Sequence, residues 1–385
     1  MTLQGEEDIV LRLLHTADWH LGKRFPSFSE DQNRRLMQAR LAVLDRIVAE
    51  AERFSVNAVL CSGDLFDDPV PRKEWWEPVA QLWTRLRWTN RPVFLLPGNH
   101  DPMLAESVWN NRAFRELLPS WVHVVDRPNF EFQLSDEAVL YAVPCSSKAG
   151  QRDPTDSIPE RQPGDERIRI GMVHGSTFDM KDCQVNFPIS KDAALRRGLD
   201  YLALGDTHGF RYVPPDRLHP PTIYPGAPEP TAFDEVDPGY VAVVRINRQR
   251  RAQVERRRVA YWTWEDRQVQ SLRELEELAA RTDLTDRVLR LRVSMKVSAK
   301  ELERAESLLV DLGGSESRPG RVGLLALDRH GLELETSRIE EDCADLPEVL
   351  QSVVRRLKLE AEKPDRRRVA QRALHHLYRT AKGGA

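Results

Sequence analysis

YLALGDTHGF, residues 201–210, is the stretch that decides the fold of this chain. Its apolar run, Tyr201–Leu204, has the length and composition of a strand that is buried on both faces of a sheet. Gly205 ends the run, and Asp206 and His208 follow it in a D-x-H spacing. Polar groups just beyond a buried strand are typical of the sites that α/β proteins form. The stretch therefore predicts a strand that delivers functional side chains.

Four other apolar runs of strand length end in the same way: Val10–Leu14, Val56–Leu60, Val93–Leu96 and Ile168–Val173. Amphipathic helical patterns separate the first three runs, and this alternation of strands and helices indicates an α/β fold. The polar groups that follow the four runs are, in order, Asp18 and His20, then Asp64, then Asn99, His100 and Asp101, and finally His174. Because the loops beyond the carboxyl ends of strands in an open α/β sheet converge on one crevice, we expect these side chains to meet there.

The polar groups after the runs form a donor set suited to metal ions. Any one motif is weak, because a D-x-H after a strand is more often a turn with a helix cap than a pair of ligands. Five successive strand ends that offer oxygen or imidazole, and no thiol, favour hard or borderline ions such as manganese. The candidate ligands are too many for one four-coordinate site: Asp18, His20, Asp64, Asn99, His174, Asp206 and His208. A pair of ions that share a carboxylate uses them all, and its natural chemistry is hydrolysis of a phosphate ester.

The composition is that of a soluble globular protein. Of 385 residues, 41% are hydrophobic and 30% are charged, which is too apolar for wholesale disorder. No apolar run approaches the ~18–20 residues of a membrane helix, and the acidic start does not resemble a signal peptide. The four cysteines, at positions 61, 145, 183 and 343, form no C-x-x-C pair. We therefore expect a cytoplasmic protein with reduced thiols.

Two segments concentrate positive charge, although the net charge of the chain is −3. Residues 351–385 hold ten Lys and Arg against three acidic residues, a surplus of +7. Residues 245–258 hold seven arginines against Glu255. Solvated surface explains such runs, and contact with phosphate groups explains them equally well. The sequence leaves both interpretations open.

The order of patterns along the chain predicts three domains. Residues 1–265 form the first, which closes with a hairpin predicted over Tyr240–Ile246 and Ala252–Val259. Residues 266–345 form a second, small α+β domain, and residues 346–385 form a helical tail. No internal repeat connects the three.

The second domain has its own sequence signals. Val288–Val297 alternates as a strand does, and the capping box Ser298-x-x-Glu301 opens a helix that Gly313-Gly314 ends. Two further strands are expected, at Val322–Leu327 and at Leu332–Glu335.

The tail consists of two amphipathic helical patterns, Leu346–Glu360 and Arg366–Thr380, separated by Pro364. So short a helix pair has little core of its own, and its apolar faces must pack against something. A partner ATPase and the first domain of this chain are the two expected surfaces.

In the order and the residues of these motifs, the chain resembles the calcineurin-like metallophosphoesterase superfamily. DWH, SGD, GNHD, VHG and GDTH follow one another as they do there. The longer strings LHTADWHLGK, LCSGDLFDDPVP, LPGNHD and YPGAPEP look like its DNA-repair exonuclease branch, the SbcD-like nucleases. The resemblance covers residues 10–245 and implies a β-sandwich flanked by helices. Over residues 266–345 it is weaker and implies a capping domain.

The resemblance also implies roles for individual residues. Asp18, His20 and His208 would hold one manganese ion, Asn99 and His174 the second, and Asp64 would bridge them, with magnesium as a possible substitute. His100 would face the scissile phosphate and assist the leaving oxygen, with Asp101 orienting its ring. Asp206 departs from the G-H-x-H that is usual in this family, and as a hard anionic donor it would replace an imidazole at the second ion.

The leading hypothesis is a two-metal, manganese-dependent DNA nuclease, exonuclease or endonuclease, that acts in DNA repair. Its implied partners are DNA, a second copy of the chain and an SMC-type ATPase of the SbcC kind, without a membrane. A phosphodiesterase or phosphatase for a small substrate would use the same residues. A structural subunit that only recruits an ATPase is the third alternative, and the intact Asp64, Asn99, His100 and His174 argue against it.

Overall fold

A computed structural model describes residues 8–85, 91–177, 185–213, 221–315, 318–335 and 339–381. The chain divides into two compact units, unit 1 (Met1–Trp262) and unit 2 (Thr263–Ala385). Within the described ranges, no helix combines the length and the hydropathy that crossing a bilayer requires. Cys61, Cys145 and Cys343 are buried free thiols, and Cys183 lies outside the described residues.

Unit 1 begins with alternating strands and helices and ends in strands. Its elements in chain order are β1 (Ile9–Thr16), α1 (Glu30–Arg53), β2 (Ala58–Cys61), α2 (Lys73–Leu82), β3 (Val93–Leu95), α3 (Arg112–Leu117), β4 (Val122–Val124), β5 (Phe130–Ser135), β6 (Ala138–Val143), β7 (Ile168–His174), α4 (Ala193–Arg196), β8 (Tyr201–Gly205), β9 (Arg211–Val213), β10 (Thr222–Tyr224), β11 (Tyr240–Asn247) and β12 (Ala252–Arg258). The predicted closing hairpin is present as β11 and β12, which pair antiparallel.

The long helix α1 shows how the sequence sets an element. The hydroxyl of Ser29 accepts the backbone N–H of Gln32, and the side-chain oxygen of Gln32 accepts the backbone N–H of Ser29. Both hydrogen bonds of a capping box are therefore present. Leu36, Val43 and Ile47, at helical spacing, are buried on one side of α1. That side packs on the first sheet as the helical pattern predicts.

The strands of unit 1 form two six-stranded sheets, β12-β11-β1-β2-β3-β4 and β5-β6-β7-β8-β10-β9. Leu11 and Leu13 of β1 share a core with Ile170 and Met172 of β7, so the sheets pack face to face. Leu14, which points the other way, packs in the core that contains α1 and α2. The predicted α/β sandwich flanked by helices is confirmed.

The five apolar runs are divided between the two sheets. Of the five apolar runs, three became β1, β2 and β3 of the first sheet, and two became β7 and β8 of the second. Within each sheet these neighbouring strands are parallel. Their carboxyl ends therefore still meet, but from two sheets rather than from one.

Unit 2 has its own core. Its elements are β13 (Thr263–Val269), α5 (Leu272–Ala280), β14 (Arg287–Val297), α6 (Ala299–Gly313), β15 (Gly314–Ser315), β16 (Arg318–Pro319), β17 (Leu324–Leu334), α7 (Ile339–Asp342), α8 (Glu348–Ala361) and α9 (Arg367–Ala381). β13, β14 and β17 form a parallel sheet. The capping box at Ser298 opens α6 as predicted.

Two strands were expected where β17 is one. The polar stretch between Leu327 and Leu332 suggested a break, but the strand continues through it and pairs with β14. A shift in the pairing register between Arg292 and Ser294 accommodates that stretch.

The tail helices α8 and α9 pack within unit 2. Val354 of α8 and Leu374 of α9 belong to the unit 2 core, with exposures of 1% and 0%. Val353 and Val369, on the other side of the helices, are 39% and 73% exposed. The tail therefore packs mainly against the α+β part of unit 2. From its sequence, it was expected to pack against a partner ATPase or the first domain.

Candidate metal centre

Side chains from all five strand ends converge at one edge of the sandwich. Ligand atoms of Asp18, His20 and His208 lie within 4.8 Å of one another, and so do those of Asp18, Asp64 and His174. We call the first set, Asp18, His20 and His208, the His20 half of the centre. The His174 half comprises Asp64, Asn99, His174 and Asp206.

The backbone of the centre is strained. Asp18, His20, Asp64 and Asp206 have φ angles of 55°, 45°, 53° and 107°, in the region that favours glycine. The hydrogen bonds from Asp18 N to the Gly63 carbonyl and from His20 N to the Asp64 carbonyl, both 3.0 Å, tie the loops after β1 and β2 together. Such strain persists where the surrounding fold over-determines the backbone, and it is concentrated at functional sites.

Two glycines let the loops approach closely. A Cβ on Gly63 would lie 2.2 Å from Nδ1 of His174, and a Cβ on Gly98 would lie 2.1 Å from Oδ1 of Asp64. Both separations are below any van der Waals contact, so neither position admits a side chain.

In the His20 half, two imidazoles face each other through their Nε2 atoms, 3.0 Å apart. Asp67 Oδ1 lies 3.1 Å from Nδ1 of His20, and Glu235 Oε1 lies 2.7 Å from Nδ1 of His208. These carboxylates assign the ring proton to Nδ1, so each Nε2 presents a lone pair. Two facing lone pairs repel unless a proton or a metal ion lies between them.

In the His174 half, a backbone carbonyl rather than a carboxylate fixes the ring proton on Nδ1. The Ser62 carbonyl accepts from Nδ1 of His174 at 2.9 Å. Nε2 of His174 then faces Asn99 Oδ1 at 2.9 Å and Asp64 Oδ2 at 3.4 Å. Since Asp64 Oδ2 is also 3.8 Å from Nε2 of His20, Asp64 lies between the two halves.

The charges of the centre fit divalent cations. Asp18 and Asp64 are 0% and 2% exposed, and neither has a Lys or Arg within 4.0 Å in the part of the chain described. Burial raises the pKa of Asp18 to about 7 and lowers that of His20 to about 4. Buried carboxylates and neutral imidazoles together form a donor set that a divalent ion neutralises.

Neighbouring carboxylates oppose the effect of burial on two of the imidazoles. Burial alone would lower the pKa of His174, but the Asp64 carboxylate raises it well above its usual range. Burial would likewise lower the pKa of His208, and the hydrogen bond to Glu235 raises it. An imidazole binds a metal ion in its neutral form, so metal binding would compete with protons for these Nε2 atoms.

His100 lies at the rim of the centre with 43% of its side chain exposed. Its backbone N–H donates to Oδ1 of Asp64 at 2.9 Å, and its ring stands perpendicular to that of His20 with centroids 4.7 Å apart. Asp101, expected to orient this ring, instead accepts backbone N–H groups of Gly98 and Phe66 at 2.7 and 2.9 Å. The carboxylate near the His100 ring belongs to Asp67, 3.7 Å from Nδ1.

Asp206 occupies a bend rather than an extended strand. Its backbone N–H donates to Oδ1 of Asp18 at 2.9 Å, and its Oδ2 accepts from the hydroxyl of Ser176. The other oxygen, Oδ1, lies 3.9 Å from Nε2 of His174. The expected i, i+2 geometry with His208 is therefore absent, yet the carboxylate still reaches the His174 half.

Sequence reasoning missed the groups that orient the imidazoles. Asp67 follows Asp64 by three residues in the same strand-end motif, and this position was the available signal. Glu235 and Thr231, which contact Nδ1 of His208 at 2.7 and 2.9 Å, come from a loop without periodicity. Nothing in the loop sequence marked them.

The sequence is similar to those of known phosphoesterases. A family model described as calcineurin-like phosphoesterase matches residues 11–210. The uncharacterized metallophosphoesterase YhaO of Bacillus subtilis (strain 168) is 26% identical over 238 residues, which span 60% of this chain and 57% of that protein. The D subunit of the nuclease SbcCD of Escherichia coli (strain K12) is 33% identical over 91 residues, 24% of this chain and 21% of that one.

A third relative is the DNA double-strand break repair protein Mre11 of Methanosarcina mazei, 26% identical over 249 residues. That match spans 62% of this chain and 37% of the relative. The chain therefore covers between about a fifth and about three fifths of the length of these relatives.

Proposed function

Because the chain belongs to the calcineurin-like phosphoesterase family, we propose that it is a metal-dependent nuclease that hydrolyses phosphodiester bonds in DNA. The observation that carries the proposal is the convergence of three imidazole Nε2 atoms and two buried carboxylates, Asp18 and Asp64. Two ions are proposed, because the donors divide into two halves with Asp64 between them.

The His20 half would hold one ion and the His174 half the other, with Asp64 shared. Two bound divalent ions supply Lewis acidity toward a phosphate ester. The donors are oxygen and imidazole, which favours manganese, with magnesium as a substitute. The chain itself fixes the ligands: Asp67, Glu235 and the Ser62 carbonyl hold each imidazole in one tautomer.

His100 is proposed to act on the substrate rather than on a metal. It is the exposed imidazole at the rim, and its backbone N–H already fixes Asp64. An imidazole there can donate a proton to the leaving oxygen. Oδ1 of Asp67 lies 3.7 Å from Nδ1 of this ring.

Support for DNA as the substrate comes from the relatives named as a component of a nuclease and as a double-strand break repair protein. The arginines at 245–258 add less than their number suggested, because Arg245, Arg256 and Arg257 pair with carboxylates. Residues 266–345, within unit 2, are proposed as a capping domain, since a nucleotide-sized substrate has no need of a second unit. A cytoplasmic setting and a homodimer complete the proposal.

An SMC-type ATPase partner is proposed to bind the exposed side of the tail. Val349 and Val353 of α8 and Val369 of α9 are 75%, 39% and 73% exposed. Because α8 and α9 are part of the unit 2 core, substitution of these valines by aspartate tests partner binding better than deletion of the tail does. The expected result is normal cleavage of a short DNA and loss of stimulation by the ATPase.

The function is tested by incubating end-labelled DNA with the protein and manganese. Wild-type protein should degrade the DNA, and Asp64→Ala should lose the activity by about 10³-fold or more, since both halves lose a ligand. Asp68→Ala is the matched control, because this exposed aspartate near Asp64 binds only the backbone of Val70 in the described structure.

A small phosphodiester, bis-p-nitrophenyl phosphate, separates the alternatives. Hydrolysis of this compound without cleavage of any DNA form would establish the small-substrate phosphodiesterase instead. Tight binding of two metal equivalents without either activity would leave the structural subunit.

A further inference from the structure

Arg40 is a buried cation in the middle of α1 that none of the proposed chemistry uses. Its side chain is 2% exposed. One guanidinium nitrogen, Nη1, donates to the carbonyl of Trp19 at 3.0 Å, and the other, Nη2, donates to the carbonyl of Pro230 at 2.5 Å. The guanidinium also lies 5.4 Å from the centroid of the Phe25 ring.

The two carbonyls belong to the two loops of the His20 half. Trp19 lies between Asp18 and His20, both of which have strained left-handed backbones. Pro230 precedes Thr231, whose N–H and hydroxyl both bind Glu235, the carboxylate that holds His208. One fork of hydrogen bonds therefore links the segment that carries His20 to the segment that backs His208.

Charge reinforces this link. Glu229, also 2% exposed, accepts the backbone N–H groups of Tyr261 and Trp262 at 2.8 and 2.9 Å. Glu229, Glu235 and Asp67 all attract the Arg40 guanidinium. Two of these carboxylates are the groups that orient the imidazoles of the His20 half, so removing the Arg40 charge leaves them less well compensated.

We propose, on the basis of the two-ion centre proposed above, that Arg40 is a positioning residue that sets the separation of His20 and His208. It touches neither substrate nor metal. A planar fork that reaches two carbonyls at once is a property of arginine, and the ammonium of lysine does not reproduce it. The His174 half has no contact with Arg40 in the described structure, so the effect should be confined to one ion.

The test compares Arg40→Met and Arg40→Lys with Arg169→Met. Arg169 is a matched control: it is 2% exposed, donates to the carbonyl of Pro159, and lies 4.7 Å from the centroid of the Tyr141 ring. It is five positions before His174 on β7, outside the contacts of the centre. Methionine removes the charge and the donors at similar length, and lysine keeps the charge alone.

Manganese binding is measured by the electron paramagnetic resonance of free Mn²⁺, without any activity assay. His208→Ala and His174→Ala identify which equivalent belongs to which half. Loss of an orienting group costs about 10–100-fold in metal affinity. Arg40→Met should therefore weaken the equivalent of the His20 half by about 10–100-fold, and Arg40→Lys by less. The other equivalent should be unchanged.

Arg169→Met should lower the melting temperature and leave both affinities at the wild-type value. If Arg40→Met does not fold, Arg40→Lys decides alone, and a wild-type affinity in a folded Arg40→Lys protein overturns the proposal. Equal weakening of both halves, or equal weakening by Arg169→Met, would also overturn it, because the effect would then be general destabilisation. Wild-type protein that binds fewer than two equivalents contradicts the proposed function rather than the role of Arg40.

Discussion

The two halves of the centre hold their imidazoles by different means. In the His20 half, carboxylates of Asp67 and Glu235 accept the Nδ1 protons. In the His174 half, the Ser62 carbonyl accepts the proton of His174. A carboxylate makes an imidazole more basic than a carbonyl does, and it also adds a full negative charge beside the ion.

The balance is reversed among the ligands themselves. The His20 half has two imidazoles beside Asp18, whereas the His174 half has one imidazole and the carboxylate of Asp206. The His20 half thus has three carboxylates, Asp18 beside the imidazoles and Asp67 and Glu235 behind them. The His174 half has Asp206, and Asp64 lies between the two halves. We infer that more negative charge surrounds the His20 half than the His174 half, and the following substitutions test that comparison.

The largest effect is expected from His100, which belongs to neither half. His100→Ala should lower kcat by about 10²–10⁴-fold, since a general acid is lost, and should leave two bound manganese ions. Metal stoichiometry measured beside the rate checks this expectation. His330→Ala, at an exposed histidine of unit 2, is the control. Loss of a metal equivalent in His100→Ala would place this imidazole among the ligands.

Asp206→Ala should weaken the ion of the His174 half and lower the rate by about 10²-fold, corresponding to about 2–3 kcal/mol. The substitution removes the carboxylate proposed to bind that ion, while the backbone N–H of residue 206 can still donate to Asp18. Equilibrium dialysis with manganese gives the stoichiometry. Two tightly held ions and a near-normal rate would show that Asp206 is not a ligand.

Asp206→His should keep activity and make the ligands of the two halves alike. Removing one negative charge leaves the bound ions more strongly polarising, so the rise of activity should shift to lower pH. An additional imidazole should also increase the affinity for zinc relative to manganese. A pH profile displaced to higher pH would contradict the charge comparison.

Glu235→Gln tests the carboxylate behind His208. The amide oxygen can still accept from His208, while the negative charge and the acceptor for the Thr231 N–H are lost. We expect about tenfold weaker manganese binding in the His20 half, at the lower end of the range for orienting groups. Asp234→Asn, at the exposed neighbour, should change nothing. Equal affinities would mean that orientation matters here and charge does not.

The smallest effect is expected from Ser176, whose hydroxyl donates to Asp206. Ser176→Ala removes one part-buried hydrogen bond, worth about 0.5–1.5 kcal/mol net, so the His174 half should weaken by about two- to tenfold. Ser190→Ala removes a similar hydroxyl–carboxylate bond, to Asp192, away from the centre. An unchanged affinity would show that Asp206 is placed by its backbone alone.

The sequence predicted the side chains that converge at the centre better than it predicted the groups that hydrogen-bond to them. Asp18, Asp64 and His174 follow apolar runs, and burial of those runs fixes where each strand ends. Glu235 lies in an aperiodic loop, in which Pro230 and Glu229 make long-range hydrogen bonds to Arg40 and to Trp262. Spacing along the chain contains no information about such contacts.

The fold shows the same division. Strands with continuous apolar runs were found, but β4 (Val122–Val124) and β10 (Thr222–Tyr224) were not, because each includes a polar residue and is too short to show a period. The division of the runs between two sheets could not be predicted because sheet membership depends on pairing partners. The tail was expected to pack outside unit 2, but Leu374 of α9 is buried in the core of unit 2.

The pairing of β1 with β11 has a consequence for how the protein is made. Leu13 of β1 is the partner of Val244 in β11. The strand β1 therefore cannot form this pairing until the β11–β12 hairpin has been synthesised. At ribosomal speeds of about 5–20 residues per second, that wait lasts about 10–45 s. During this time the nascent chain exposes an open edge on β1, where other chains can pair with it. The proposed metal centre can be complete only after His208 has left the ribosome.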